Sequence, residues 1–187
     1  MTKLKAASRL LTAPDQFEDY RYKSILHDTN YWSFMAAGCL LMARSTRRFL
    51  LPLRSAEVSD PHVWGVWSGA IDRGESTENA VRRELQEEAA LFEPVKLVPL
   101  LVYRDPDRCF KFFNFLGIVD EEFEPELNWE TDVAKWFEFD GFPTPLHPGL
   151  QALLNDEPSR TRIEYYMETE PWPGRNRDNE DTMRLDV

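Results

Sequence analysis

The sequence predicts an α+β fold in which helices pack on a mixed sheet, and three patterns support this prediction. Apolar, alternating runs over 31–53 and 95–119 are typical of strands, and each run is broken by a polar turn. Between them, Val81, Leu85 and Ala89 recur every four residues, which gives that segment the apolar face of a helix. Because hairpins and one long crossover occur together, we expect both antiparallel and parallel strand pairs.

The individual elements are expected in the order strands, helix, strands, helix. Strands are predicted on either side of a turn at 45–48, and further strands at 64–67, 95–103, 109–119 and 133–139. Gly74 permits a turn before the main helix, and Ser76 or Thr77 can cap its first residues. Short helices are predicted around 6–11 and at 149–155.

The chain is long enough for one domain with appendages, since it has 187 residues. We assign 1–30 to an N-terminal extension, 31–155 to the domain and 156–187 to a charged, turn-rich C-terminal extension. Apolar residues such as Ile163 and Trp172 lead us to expect that the last segment docks on the domain or at a dimer interface.

The charge of the chain argues against two classes of partner. The formal net charge is -11 and the pI is about 4.8, so the surface repels bulk nucleic acid and anionic membranes. No stretch approaches the roughly 20 apolar residues of a membrane span, and residues 1–20 lack the apolar core of a signal peptide. We therefore expect a cytoplasmic protein.

The two cysteines are expected to be buried free thiols. Cys39 and Cys109 are far apart, and neither belongs to a Cys-x-x-Cys pair or lies near a histidine cluster. This pattern does not favour a disulfide framework or a structural zinc site.

The stretch 69–91, GAIDRGESTENAVRRELQEEAAL, contains the residues with the clearest chemistry. If its second half is helical, Glu84, Glu87 and Glu88 stand at i, i+3 and i+4 and share one face. Three carboxylates on one face repel one another unless a cation lies among them. A hard divalent cation that prefers oxygen ligands meets this need.

The same stretch resembles the Nudix box. The family pattern is Gly, five residues, Glu, seven residues, then Arg-Glu-aliphatic-x-Glu-Glu-x-Gly-aliphatic. This sequence matches it with Gly69, Glu75, Arg83-Glu84-Leu85 and Glu87-Glu88. Ala90 stands where the pattern has glycine, and we expect this departure to be mild if the helix continues through it.

The resemblance implies a Nudix-type α/β/α sandwich that uses Mg²⁺ or Mn²⁺. It implies hydrolysis of a nucleoside diphosphate linked to another moiety, by attack of water on a phosphorus of the diphosphate. The expected metal ligands are Glu84, Glu87, Glu88 and the backbone carbonyl of Ser68. In the family, the arginine that aligns with Arg83 orients the catalytic carboxylates and often pairs with the glutamate that aligns with Glu75.

A further carboxylate is expected from the loop before the last main strand, where several family members place a base or extra ligand. Glu130, which lies shortly before Trp136, fits this position. It competes with the other acids of the region, which are Asp120, Glu121, Glu122 and Asp132. The general base is left open among Glu130, Glu84 and Glu75.

The expected partner is a small nucleotide-type substrate, and the sequence does not select among ADP-ribose, a dinucleoside polyphosphate, a sugar nucleotide and a nucleoside triphosphate. Strand aromatics fit the core better than a stacking platform for the base; they are Trp32, Trp64, Trp67, Tyr103, Phe110 and Phe112. One alternative is a catalytically silent Nudix-fold module that binds nucleotides or regulates, although all the box glutamates are present. Action on capped RNA is a second alternative, and the absence of a basic stripe opposes it. A homodimer is also expected from the resemblance.

Overall fold

The computed structural model describes residues 35–105 and 110–170. Within these ranges six strands form one sheet: β1 (Met35–Ala43), β2 (Phe49–Arg54), β3 (Trp67–Ala70), β4 (Lys96–Asp105), β5 (Phe110–Val119) and β6 (Thr131–Phe137). The helices of the same ranges are α1 (Thr77–Ala89), α2 (Pro148–Asn155) and α3 (Glu157–Thr169), with a 3-10 turn at Phe139–Gly141.

The sheet is mixed, as the sequence predicts. Its strand order is β4-β5-β1-β2-β6, and β3 pairs with β1 outside this path. β1 and β5 run parallel, whereas the other pairs are antiparallel. The N-terminal half of β1 pairs with β3 and its C-terminal end pairs with β2, so these two strands share one edge of β1.

Helices cover both faces of the sheet. α1 packs against β1 and β3 through its buried residues Val81, Leu85 and Ala89. On the opposite face, α2 and α3 contribute Leu150, Leu153, Ile163 and Tyr166 to a core that also contains residues of β1, β2, β4 and β5. This layering confirms the predicted α/β/α sandwich, because each sheet face buries its apolar side chains under helices.

The first hairpin forms where the sequence predicts it. β1 and β2 flank a tight turn at 44–48, in which Arg47 adopts φ 64°. Cys39 in β1 is a buried free thiol, and burial raises its pKa to about 12. The predicted start of this strand at 31–34 lies outside the described residues. So do Cys109 and the rest of 106–109, part of the predicted turn between β4 and β5.

The prediction of a strand at 64–67 is wrong in its position, because β3 begins at Trp67 and continues through Ala70. Trp64 instead forms isolated bridges to Leu53 and Leu146, and its N–H donates to Pro145 O at 2.9 Å. The sequence predicts the strand at the bulky apolar residues, whereas the residues that pair with β1 are mainly the small ones that come after them.

The helix does not continue through Ala90, so the condition under which this departure from the family pattern would be mild is not met. α1 ends at Ala89, and Ala90 adopts the left-handed conformation with φ 49° and ψ 33°. This position follows the helix as the C-terminal cap, and Leu91 N donates to Leu85 O at 3.1 Å. Only glycine enters this backbone region without a steric cost, so Ala90 is strained where the family pattern has glycine.

The segment after Asp156 is more regular than the sequence predicts. Asp156 caps α3 by accepting a hydrogen bond from Ser159 N at 3.0 Å, and Ile163 is fully buried in the core. At the end of α3, the buried Glu170 carboxylate pairs with Lys96 and with Arg44. The sequence does not predict this helix, because its apolar residues show only a weak helical periodicity among many charged residues. The predicted N-terminal extension at 1–30, with its helix around 6–11, and residues 171–187 lie outside the described ranges.

None of the helices in the described ranges combines the length and the apolarity needed to cross a membrane.

Replacing Ala90 with glycine should stabilise the protein by about 1 kcal/mol, because the left-handed conformation costs alanine more than it costs glycine. Thermal unfolding of the Ala90→Gly variant should therefore show a higher Tm. The control is Gln86→Gly, at an exposed position inside α1, which should lower stability by about 1 kcal/mol. An unchanged or lower Tm for Ala90→Gly would contradict this account of the cap.

Ile163→Ala should destabilise the protein by about 2–4 kcal/mol, because it removes a fully buried side chain and leaves a cavity between α3 and the sheet. Thr161→Ala, at an exposed position of the same helix, should change stability by less than about 0.5 kcal/mol. Urea unfolding measures both. Equal effects of the two substitutions would show that α3 is not part of the cooperative core.

Candidate functional site

The site forms where the loop 70–76 leads from β3 into α1. Gly74 makes the turn with φ 85°, and Ser76 caps the helix by accepting a hydrogen bond from Asn79 N at 3.2 Å. The apolar face of α1 anchors it to the sheet. The carboxylates of Glu84, Glu87 and Glu88 consequently extend from a fixed helix next to the end of β3.

Arg83 lies at the centre of the carboxylates. Its Nη1 donates to Glu84 Oε1 at 2.6 Å and to Glu87 Oε2 at 3.2 Å. Its Nε and Nη2 donate to the two carboxylate oxygens of Glu75, both at 3.1 Å, and Nη2 also donates to Ala70 O at 2.7 Å. One guanidinium thereby connects the helix, the preceding loop and the end of β3.

The Arg83 network sets the charge state of Glu75. Hydrogen bonds from Arg83 are the main cause of a lowered pKa at Glu75, which is therefore ionised over a wide pH range. Glu75 Oε2 also accepts from Asp72 N at 3.0 Å, which holds the loop in a closed turn. The bonds to Glu75 in turn raise the pKa of Arg83.

Glu84 is pressed against the backbone of β3. A Cβ added at Gly69 would come within 2.1 Å of Glu84 Oε1, so the carboxylate occupies the space that any other residue would fill. A side chain at position 69 would therefore force the Glu84 carboxylate to move. Burial raises the pKa of Glu84, and the charges of Glu87 and Glu130 act in the same direction, against the lowering effect of Arg83.

Glu88 is the most deeply placed of the helix carboxylates. Its side chain is buried, and Oε2 accepts a hydrogen bond from Ser68 N at 3.0 Å. Burial raises its pKa to about 8, against the lowering effect of the Ser68 bond, and repulsion from Glu84 and Glu130 contributes to the increase. Without a further cation, this group holds a proton near neutral pH.

Glu130 lies in the turn before β6, near the helix carboxylates. Its negative charge acts on both Glu84 and Glu88 and contributes to the raised pKa of each. The turn that carries it is fixed by two bonds, from Ser55 N to Glu130 O at 2.8 Å and from Glu130 N to Asn128 Oδ1 at 2.9 Å. Within the described residues, no hydrogen bond reaches its carboxylate oxygens.

Three of the four acids that compete with Glu130 in the sequence lie near basic side chains of their own. Asp120 pairs with Arg44 at 2.9 Å, and Glu122 pairs with Arg48 at 3.1 Å. Asp132 faces His62 at 3.9 Å. The structure therefore groups Glu130, and none of these three, with the helix carboxylates.

The donor set suits a hard divalent cation. Burial raises the pKa of Glu84 and of Glu88, and neighbouring carboxylates act in the same direction, so a divalent metal ion, which prefers oxygen ligands, would relieve the cost of their negative charges. With the side chains as they lie, no group of three or more acidic, histidine or cysteine side chains within 35–105 and 110–170 is arranged to hold a metal. Arg83 explains this arrangement, because it supplies the positive charge and draws Glu84 and Glu87 toward itself. A metal ion bound here would require those two carboxylates to rotate.

Two residues near the site were not predicted. Arg54, at the end of β2, is close enough for its charge to lower the pKa of Glu88. Trp129, next to Glu130, is 65% exposed. Nothing in the sequence around Arg54 indicates a role at the site. Trp129 could have been noticed, because it is a large apolar residue in an acidic segment that is predicted to be a loop.

The strand aromatics in the described ranges are mostly packed, as expected. Trp67 is fully buried and its Nε1 donates to Leu50 O at 3.0 Å. Trp64 contacts Phe137 edge-on, with ring centroids 5.1 Å apart. Tyr103 is the exception, since it is exposed on β4. Trp32 lies outside the described residues.

Solved structures of Nudix proteins share this fold. The chain aligns with RenU, a Nudix hydrolase from M. smegmatis, at 24% identity and a TM-score of 0.60, covering 78% of this chain and 92% of that chain. It aligns with a C. elegans Ap4A hydrolase at 22% identity and a TM-score of 0.56, covering 70% and 96% of the two chains. A MutT NUDIX hydrolase from Burkholderia pseudomallei aligns at 23% identity and a TM-score of 0.52, covering 64% and 94%. Likeness at these identities establishes the fold.

A comparison with curated proteins found no match. The model of the NUDIX domain family, in contrast, matches residues 32–156, which is more than half of the chain and includes α1 with all of its carboxylates. The chain therefore belongs to the Nudix family of hydrolases, whose members generally use divalent metals and act on nucleoside diphosphate derivatives.

Proposed function

We propose that this protein is a Mg²⁺- or Mn²⁺-dependent pyrophosphohydrolase that cleaves a nucleoside diphosphate linked to another moiety. The observation that supports this most directly is that burial raises the pKa of both Glu84 and Glu88, two carboxylates of one helix, and that the negative charge of Glu130 acts on both in the same direction. Such a site is unfavourable for three carboxylates alone and is relieved by a cation. A diphosphate needs the same cation to approach an acidic surface.

Glu84, Glu87, Glu88 and the carbonyl oxygen of Ser68 are the proposed metal ligands. Glu84 and Glu87 are both bound to Arg83 through Nη1 alone, whereas Nε and Nη2 bind Glu75, so both could turn toward an ion while Arg83 keeps its bonds to Glu75. A divalent cation bound by these oxygens would neutralise the diphosphate and polarise its phosphoryl oxygens.

The protein's own residues supply positioning and proton transfer. Arg83 and Glu75 act as organisers, because their paired bonds fix the loop and the helix relative to each other. Glu130 is the proposed general base. Glu75 is a poor base because its pKa is lowered, and Glu84 already accepts a short bond from Arg83, whereas the Glu130 carboxylate accepts none among the described residues.

In the proposed reaction, a Glu130 carboxylate oxygen accepts a proton from water as the water oxygen bonds to phosphorus. The bridging P–O bond breaks and its electron pair leaves with the second phosphate. The products are a nucleoside monophosphate and the phosphorylated remainder, so atoms and charge balance without any other reactant.

Glu88→Gln should lower kcat/KM by at least about 100-fold with any substrate, because it removes a charged ligand from the proposed metal site. The measurement is product release from ADP-ribose, a dinucleoside polyphosphate, a sugar nucleotide and a nucleoside triphosphate, each with Mg²⁺ or Mn²⁺. Glu78→Gln, which removes a carboxylate from the first turn of the same helix, should change kcat/KM by less than about twofold.

Two results would contradict the hydrolase proposal. Equal activity of Glu88→Gln and wild type would remove Glu88 from the site. Nucleotide binding without metal-dependent turnover of any substrate would favour the alternative of a catalytically silent binding module.

Without divalent metal, the protein should lose stability as pH rises, and Glu88 should cause part of the loss. The folded protein holds the Glu88 proton up to about pH 8, whereas the unfolded chain releases it near 4.5. The contribution of Glu88 is therefore most favourable below pH 4.5 and decreases by up to about 4 kcal/mol as pH rises to about 8. Tm values of wild type and Glu88→Gln in EDTA at pH 5 and pH 8 measure it, and the variant should show the smaller decrease.

Mg²⁺ should raise the Tm of the wild type more at pH 8 than at pH 5, because protons and metal compete for the same carboxylates. An identical pH dependence of wild type and Glu88→Gln, or a stabilisation by Mg²⁺ that does not vary with pH, would contradict the assignment of Glu88.

A further inference from the structure

Arg54 stands at an irregularity of the sheet beside the site. The pairing of β2 with β6 shifts register between Leu53 and Arg54, and Arg54 pairs with Thr131, next to Glu130. A bulge at the end of a strand changes the direction of its side chain, and such bulges are frequent next to active sites. The Arg54 side chain runs past Gly65, where an added Cβ would lie 3.7 Å from Arg54 Cδ.

The loop that follows β2 holds the guanidinium in one orientation. Nε donates to Ser59 O at 3.0 Å and to Asp60 O at 3.2 Å, and Nη2 donates to Ser59 O at 2.6 Å. Within the described residues Nη1 makes no hydrogen bond. Backbone carbonyl groups thus hold Nε and Nη2 of the guanidinium, while the N–H groups of Nη1 are available to a ligand.

The charges around Arg54 make it a binding group for an anion. Its positive charge acts on Glu88 on one side and on His147 on the other. Burial and the charge of Arg54 lower the pKa of His147, so the imidazole is neutral at neutral pH although the Asp60 carboxylate lies 3.5 Å from its Nε2. Arg54 therefore carries the positive charge of this side of the site.

Arg83, the other arginine close to the carboxylates, is already engaged. Its three nitrogens are bonded to Glu75, Glu84, Glu87 and the carbonyl of Ala70. A phosphate group would have to displace a carboxylate to reach it. The free Nη1 of Arg54 is available without such exchange, and an arginine fork matches phosphate oxygens in geometry and charge.

We propose that Arg54 is a substrate-binding residue whose Nη1 donates to a phosphate oxygen of the diphosphate while Glu88 contributes to the adjoining metal site. This inference rests on the proposed function, since it takes the substrate to be a diphosphate. The contacts to Ser59 and Asp60 orient the guanidinium before the substrate arrives, which reduces the entropy lost on binding.

The experiment measures binding of imidodiphosphate, a pyrophosphate analogue that resists hydrolysis, in the presence of Mg²⁺ by calorimetric titration. Arg54→Gln should raise its Kd roughly 10- to 100-fold, because one charge-assisted hydrogen bond is lost. Arg54→Lys keeps the charge and should raise the Kd by less than about fivefold. The affinity of the wild type should also fall more steeply with salt than that of Arg54→Gln.

The matched control is Arg48→Gln, at the opposite end of the β2 edge. Arg48 bonds to Glu122 and to Trp136 O, far along β2 from Arg54, so its loss should leave the Kd unchanged. A Kd of Arg54→Gln equal to that of the wild type would overturn the proposal. If Arg54→Gln has a lowered Tm, Arg54→Lys decides: an equal loss of affinity in both variants would show that the loop contacts, and not the charge, matter.

Turnover separates this inference from the proposed function. In the substrate assay Arg54→Gln should raise KM more than it lowers kcat, as expected for a group that holds the substrate. If imidodiphosphate binds through Arg54 but no substrate is hydrolysed, the hydrolase proposal fails and the Arg54 site stands. If substrates are hydrolysed and Arg54→Gln has the wild-type KM and Kd, the Arg54 site fails alone.

Discussion

The arrangement of the site depends on the guanidinium of Arg83. It binds carboxylates from the loop and from two turns of α1, and it also bonds to the backbone carbonyl of Ala70 at the end of β3. Without that charge, Glu75, Glu84 and Glu87 would repel one another, and the loop would have no bond to the helix of comparable strength. Because the guanidinium is planar and carries five donors, one residue fixes three elements at once.

The position of the Arg83 guanidinium also explains why the pKa values of the carboxylates differ. Glu75 takes two bonds from Arg83 and has a lowered pKa, whereas Glu88 is buried away from the guanidinium and has a pKa raised to about 8. Residues that look equivalent in the sequence thus differ in how readily they take up a proton: Glu75 less readily than an ordinary glutamate, and Glu88 more readily. Burial and hydrogen bonding, rather than residue type, determine this division.

The sequence predicted the parts of the fold that depend on local pattern, including the hairpin of β1 and β2 and the apolar face of α1. It failed where tertiary contacts decide. β3 is made of small residues that gain their role only by pairing with β1, and α3 is held by Ile163 and by the ion pairs of Glu170. The conformation of Ala90 was left open, because helix propensity says nothing about the turn that must follow the helix.

The candidate site was predicted unevenly for the same reason. Fixed spacing in one helix identifies Glu84, Glu87 and Glu88 without knowledge of the fold. Arg54 could not be found in this way, because it comes from a different strand and approaches Glu88 only after β2 and β6 pair. Glu130 could be proposed from its place before the last strand, but not separated from Asp120 and Glu122 until their partners were known.

The shared edge of β1 has a consequence for how this protein can diverge. β2 and β3 pair with different parts of that edge, and residues 55–66 join them. The second half of this segment folds back on the end of β2, where Arg54 N donates to Val63 O at 3.0 Å and Gly65 N donates to Pro52 O at 2.9 Å. Insertions or deletions in the first half of the segment would move the carbonyl groups of Ser59 and Asp60 that hold Arg54, while the six-stranded sheet and α1 stayed in place. The orientation of Arg54 can therefore change without a change in the order of the strands.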